Sequence, residues 1–263
     1  MSDLRKKQNE IMSEVNNSFM GGLDPIDVTG VGLPQIKIAQ STSKVVENGV
    51  CDAGDYFLLG DIENVFKSKD DKVKLKIFGI RKVWQEFYNQ GDKFENEIFN
   101  TVPFVRGGND SLPKDFNYKG RDCHRARAFE VYLSLIDDLK SNKKRPYLLV
   151  LKGYSFSEGQ KLTRHFHKMV EKVQEDKSKP TPLSQVFTLG SEKVEFTTKD
   201  GKKRSGWAVV LDPCEIEDKG NDMLREHMSL IPKLSDVKDL ELEKDVSQKP
   251  PSMVEGETIS DEF

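Results

Sequence analysis

From Val73 to Tyr88 the chain alternates apolar and polar side chains with a period of two, the mark of a half-buried β-strand. Val73, Leu75, Ile77, Val83 and Phe87 fall on one parity and are expected to pack inward, while Lys72, Lys74, Lys76, Phe78, Lys82, Trp84 and Tyr88 fall on the other. Ile80 and Arg81 break the alternation beside Gly79, where a bulge or bend would change the side on which later residues emerge. Further strands are expected from about Arg125 to Ile136, over Tyr147–Leu151, and around Ile36–Ile38 and Tyr56–Leu59. The segments 185–189, 193–198 and 205–211 read as strands around Asp200-Gly201, a hairpin signal because glycine takes positive φ at no steric cost.

A period of 3.6 is sustained at length only between Glu158 and Glu175. There Leu162, Phe166, Met169, Val170 and Val173 share one face, with Ser157 as the expected N-cap, which predicts a helix packed on a sheet. On its opposite face Lys161, His165, Lys168 and Lys172 form a basic stripe that solvation accounts for. Shorter helical patterns cover about 3–16 and 222–231, the latter closed by Pro232. The fold class that follows is mainly β (α+β): an OB-fold-like antiparallel barrel with one packed helix. Residues 1–32 read as an N-terminal arm, 33–232 as one OB-like domain, and 233–263 as an acidic, disordered tail too poor in apolar residues to form a core.

Charge sharpens the division. The chain holds 44 Asp and Glu against 41 Lys and Arg, but residues 235–263 carry 9 acidic side chains and 3 basic ones, leaving 35 against 38 in residues 1–234. A mildly basic body joined to an acidic tail suits binding a polyanion with one and proteins with the other. The tail ends Ile259-Ser260-Asp261-Glu262-Phe263, and Asp261, Glu262 and Phe263 fit a partner's apolar pocket rimmed by Lys or Arg. No apolar run reaches the roughly 20 residues of a membrane span and no signal peptide opens the chain, so a cytoplasmic protein is expected. Three scattered cysteines, Cys51, Cys123 and Cys214, argue for a reducing compartment rather than a disulfide framework.

Lysines interleaved with rings offer phosphate neutralisation alternating with base stacking, the latter worth about 1–3 kcal/mol per base. The candidate DNA-binding residues on the long strand are Lys72, Lys74, Lys76, Lys82, Trp84 and Tyr88. Residues 112–168 hold a second concentration, 13 Lys and Arg against 6 Asp and Glu, in which Arg125, Arg127, Lys152 and Tyr154 stand ahead of Lys143 and Lys144. The last two, near Asp137 and Asp138, fit a solvated hairpin tip. Phe78 and Trp84 suit an ordinary core as well as a contact surface, and so does Trp207 in the hairpin that carries Lys202, Lys203 and Arg204. No phosphate loop, nucleophile elbow, zincin helix or kinase signature is present, so neither catalysis nor a cofactor is expected. Cys123-His124 with His165 and His167 lacks metal-ligand spacing, and Asp70-Asp71 and Asp137-Asp138 read as turns.

Together these features resemble the single-stranded DNA-binding proteins of bacteria and bacteriophages, in which a barrel is followed by an acidic tail ending in an aromatic residue. Leu33-Pro34-Gln35-Ile36-Lys37-Ile38, Ala53-Gly54-Asp55-Tyr56-Phe57 and Leu149 through Leu162 are similar to segments of phage members. The resemblance implies a protein that binds and protects single-stranded DNA in replication, recombination and repair. Its tail would dock replication and recombination proteins, compete with DNA for the basic groove and, as in some phage members, contact host RNA polymerase. The ending departs from the bacterial one in lacking a longer aspartate run and a penultimate proline. The alternative is a single-strand annealing or recombination mediator assembled through the N-terminal arm.

Overall fold

The computed structural model describes residues 33–59, 61–88, 98–104, 112–141, 143, 145–197 and 201–230; the expected arm and tail lie outside them. Ten strands among these residues form one sheet: β1 (Gln35–Ile38), β2 (Tyr56–Leu58), β3 (Asp61–Lys67), β4 (Val73–Tyr88), β5 (Ile98–Pro103), β6 (Asp115–Tyr118), β7 (Arg121–Leu135), β8 (Tyr147–Lys152), β9 (Gln185–Thr197) and β10 (Lys203–Ile216). The helices are α1 (Lys44–Glu47), α2 (Ile136–Lys140), α3 (Phe156–Glu175) and α4 (Asn221–Leu230), with single 3-10 turns at Gly153–Ser155 and Pro182–Ser184. The chain is mainly β, as its alternation predicts.

The strand order is β10-β9-β4-β7-β8-β1-β2-β3, with β5 added to β4 and β6 to β7. Among the described residues only the β1–β8 pair is parallel. β9 pairs with β4 over Val73–Lys76 and β8 pairs with β7 over Ala128–Leu133. The β4–β7 ribbon therefore runs on beyond both neighbours, and its far half is flanked instead by β5 and β6.

Leu75 pairs with Leu135 and Ile77 with Leu133, but the next partners are Gly79 and Tyr132, so Phe78 is the extra residue of a bulge. Because side chains alternate with period two, one extra residue exchanges the faces. Leu75, Ile77, Ile80, Lys82, Trp84, Glu86 and Tyr88 share one face, with β7 residues Leu135, Leu133, Val131, Phe129, Arg127, Arg125 and Cys123. Lys74, Lys76, Arg81, Val83, Gln85 and Phe87 share the reverse face. The break beside Gly79 was legible; its consequence is that the even-numbered positions of β4 do not form one surface.

α3 covers the first face. Leu162, Phe166, Met169, Val170 and Val173 are all buried, as their spacing predicts, with Phe166 against Phe187 at 5.6 Å between ring centroids. Each such side chain contributes about 1.5–3 kcal/mol when fully removed from water. The expected N-cap, Ser157, is two residues too late: α3 begins at Phe156, and Ser155 occupies the cap position without capping. Its hydroxyl instead accepts from Val209 N–H at 2.9 Å, and the Glu158 carboxylate accepts from Leu211 N–H at 3.0 Å. Gln40 Oε1 accepts from Trp207 N–H at 2.9 Å, and Gln40 Nε2 donates to Trp207 O at 2.8 Å. Three alternate donors along the free edge of β10 are thus satisfied by side chains, which protects an otherwise open sheet edge. The Gln40 contacts join the segment after β1 to β10, so the sheet curls until its two ends approach, and Tyr56 Oη donates to Gly190 O at 2.6 Å across the same gap.

Asp137 and Asp138 lie in the helical turn α2 rather than in a hairpin tip. The segments 185–189 and 193–197 belong to one strand, β9, and β10 continues past Leu211 to Ile216; residue 198 lies outside the described residues. A small separate cluster of Ala39, Val45, Cys51 and Phe57 forms around α1. Among the described residues no helix is long and apolar enough to cross a membrane.

Candidate nucleic-acid interface

The three lysines that open β4 have three different environments. Lys72 is exposed just ahead of the strand. Lys74 is exposed and paired with Glu215 at 2.9 Å, a contact that raises its pKa. Lys76 is fully buried: its ammonium donates to Lys219 O and Asn221 Oδ1, each at 2.8 Å, and to Glu217 O. Burial lowers its pKa despite the opposing pull of Glu217 and Asp218. Lys76 ties the turn before α4 to the sheet and is not available to a ligand. The expectation that Lys72, Lys74 and Lys76 line one surface with Lys82, Trp84 and Tyr88 is therefore corrected, because the Phe78 bulge turns the second group to the other face.

That second group does assemble. On the far half of the β4–β7 ribbon, Lys82 Nζ lies 3.5 Å from the centroid of the Phe104 ring. The Arg127 guanidinium lies 4.9 Å from Trp84 and 5.7 Å from Phe104, and the two rings are 5.9 Å apart. Farther out, Arg125 sits 4.2 Å from Phe116 and Arg121 sits 5.2 Å from Tyr88. Register explains the array. Trp84 pairs with Arg127 across β4–β7, Phe104 follows β5 beside Lys82, and Phe116 pairs with Cys123, so rings and cations from four adjacent segments emerge on the same side.

Members of the array are not equally open. Trp84 is 2% exposed and lies beneath Arg127, which is itself exposed; Lys82 and Tyr88 are half-buried. Arg125 is engaged: its Nε donates to Glu86 Oε1 at 2.7 Å and its Nη1 to Pro113 O at 3.0 Å. Arg125 thus braces the array. A cation resting on a ring contributes about 0.5–1 kcal/mol at an exposed site and about 2 kcal/mol when desolvated, and here the Arg127 guanidinium caps the buried Trp84 ring from the solvent side.

Lys152 and Tyr154 lie apart from this array. Lys152 pairs with Ala128 and emerges on the reverse face, where its Nζ is 4.6 Å from the Phe87 centroid. The turn Gly153–Ser155 then wraps around the end of β8, and Phe156 reaches the first face, 5.0 Å from Phe129. Tyr154 sits on the wrap, 42% exposed, packed at 5.0 Å against Phe196 of the β9–β10 hairpin with the rings tilted by 43°. Gly206 makes that packing possible, since any Cβ there would overlap the Tyr154 ring. Trp207 is half-buried over Gly54, with Lys69 Nζ 5.8 Å from its ring.

Phe104, Phe196 and Lys37 belong to these surroundings and are not among the residues singled out from sequence. Only Lys37 carried a local signal, an outward lysine between Ile36 and Ile38; Phe196 fell within an expected strand, and Phe104 in a stretch where no element was expected. Asp261, Glu262 and Phe263 lie outside the described residues. Among the described residues no three His, Cys, Asp or Glu side chains are grouped to hold a metal ion. Comparison with protein-family models, with curated proteins and with solved structures gives no match.

Proposed function

We propose that this protein binds single-stranded DNA without catalysing a reaction, and that the face carrying Lys82, Trp84, Phe104, Arg121 and Arg127 receives the strand. The observation that carries the reading is the interleaving of cations with rings on one side of the β4–β7 ribbon. A duplex buries its bases, whereas an unpaired strand presents both phosphates and ring faces to such a surface. Lys72 and Tyr154 extend the basic and aromatic character beyond the array. The curled sheet with α3 against it is consistent with an OB-like barrel. The acidic tail, through Asp261, Glu262 and Phe263, is the docking element for replication and recombination proteins in this reading.

The test is a titration of the full chain with oligothymidylate, duplex DNA and RNA at several salt concentrations, followed by tryptophan fluorescence. The log of affinity for the single strand should fall against the log of salt with a slope of about −0.7 per phosphate neutralised. Lys82→Ala and Arg127→Ala should each reduce that slope by about 0.7, and the fluorescence of Trp84, which lies beneath Arg127, should change on binding. Absence of single-strand affinity, or an affinity indifferent to salt, overturns the proposal.

A further inference from the structure

Lys37 and Lys152 meet on the reverse face of the sheet without an acidic partner. β1 runs parallel to β8 with Ile36 beside Leu149, so Lys37 follows beside Val150 and on the same face as Lys152, two residues farther along. Both lysines are half-buried, and among the described residues no carboxylate pairs with either. Ala128, opposite Lys152, and Ala126 leave room for the lysine to reach along β7 toward Phe87. Two ammonium groups brought together in a half-dry, ring-bordered recess repel each other, and an anion between them relieves the repulsion. Glu130 on the same face of β7 holds Arg81 of β4 and accepts from Tyr132 Oη at 3.3 Å. His124 at the far end of β7 faces Asp115 at 2.9 Å, and Lys74 and Lys76 are held at the opposite end of β4.

We propose that Lys37 and Lys152 form a two-ammonium clamp on the reverse face for one backbone phosphate of the bound single strand, which would continue there from the ribbon face around the end of β8. The clamp rests on the single-strand reading and adds a proton to it. Burial, and then the neighbouring charge of Lys37, lower the pKa of Lys152 to about 8; burial also lowers that of Lys37. A phosphate favours the charged form and so raises the Lys152 pKa again, which means that binding above pH 8 takes up a proton. Affinity therefore falls as pH rises from the midpoint of the free protein to that of the complex.

The experiment follows the lysines of the full chain by NMR after 13C-methyl labelling, titrated with base alone, with oligothymidylate and with inorganic pyrophosphate. Lys152 is assigned by the signal lost in Lys152→Arg. Its midpoint should rise by about one unit or more with oligothymidylate, equivalent to about a tenfold dependence of affinity on protonation. Lys152→Arg should keep its affinity at alkaline pH where the parent protein weakens, and Lys37→Met should raise the Lys152 midpoint of the free protein. If oligothymidylate binds and the midpoint stays where it was, the clamp is overturned while single-strand binding stands. If pyrophosphate shifts the midpoint but oligothymidylate does not bind, the clamp stands as a phosphate site and the single-strand reading falls. No shift with either ligand removes the clamp.

Discussion

A strand lysine serves a phosphate only if its ammonium remains within reach of solvent, and Lys72, Lys74 and Lys76 show how little local sequence says about that. All three lie at alternate positions, yet the first is open, the second faces Glu215 and the third is enclosed by the turn before α4. Lys76→Met would leave Glu217 O, Lys219 O and Asn221 Oδ1 without their shared donor. Its expected cost is about 2–4 kcal/mol in urea denaturation, with oligonucleotide affinity of the folded protein unchanged. Lys72→Ala should move stability by no more than about 0.5 kcal/mol. Lys152 gives stability a pH dependence of its own. Its pKa of about 8 lies below the ordinary lysine value of 10.5, so between those limits the unfolded chain holds more protons. Stability should accordingly rise with pH through that window, a gain absent in Lys152→Met.

At the scale of elements, two close approaches position the candidate surfaces. The Phe78 bulge decides which side chains share the ribbon face, and Gly159 decides how near α3 comes to it. A Cβ at Gly159 would overlap the Phe129 ring, and Phe129 pairs with Lys82 across β4–β7. Helix propensity alone favours alanine over glycine by up to about 1 kcal/mol. Overpacking against a ring costs about 1–3 kcal/mol, so Gly159→Ala should destabilise the protein on balance. Phe129→Leu in the same chain should recover part of the loss, a coupling that a double-mutant cycle in denaturant measures directly. The side-chain acceptors along β10 have a further role at this scale: Gln40, Ser155 and Glu158 close an edge that would otherwise invite another strand.

For the whole molecule the governing quantity is the opposition between a body with 38 basic and 35 acidic side chains and a tail with 3 and 9. A tethered polyanion competes with a free one at high effective concentration. Removal of residues 259–263 should therefore leave oligothymidylate affinity unchanged or raise it, most visibly at low salt, and abolish capture of proteins that dock on the tail. Fluorescence anisotropy against salt, with and without those residues, makes the comparison. A lower affinity in the shortened chain would count against the tail as competitor.

The amino-acid sequence by itself determined the long strand Val73–Tyr88, the helix whose apolar stripe runs from Leu162 to Val173, the hairpin partners β9 and β10, and the contrast of charge between body and tail. Those features follow from local periodicity and composition, which need no knowledge of distant residues. Only the tertiary structure decided that Lys76 is enclosed, that Lys82, Trp84 and Arg127 gather with Phe104, and that Lys37 meets Lys152. Each of those outcomes depends on strand register or on a residue far away in the chain. A single extra residue at Phe78 was enough to divide one basic stripe between two faces.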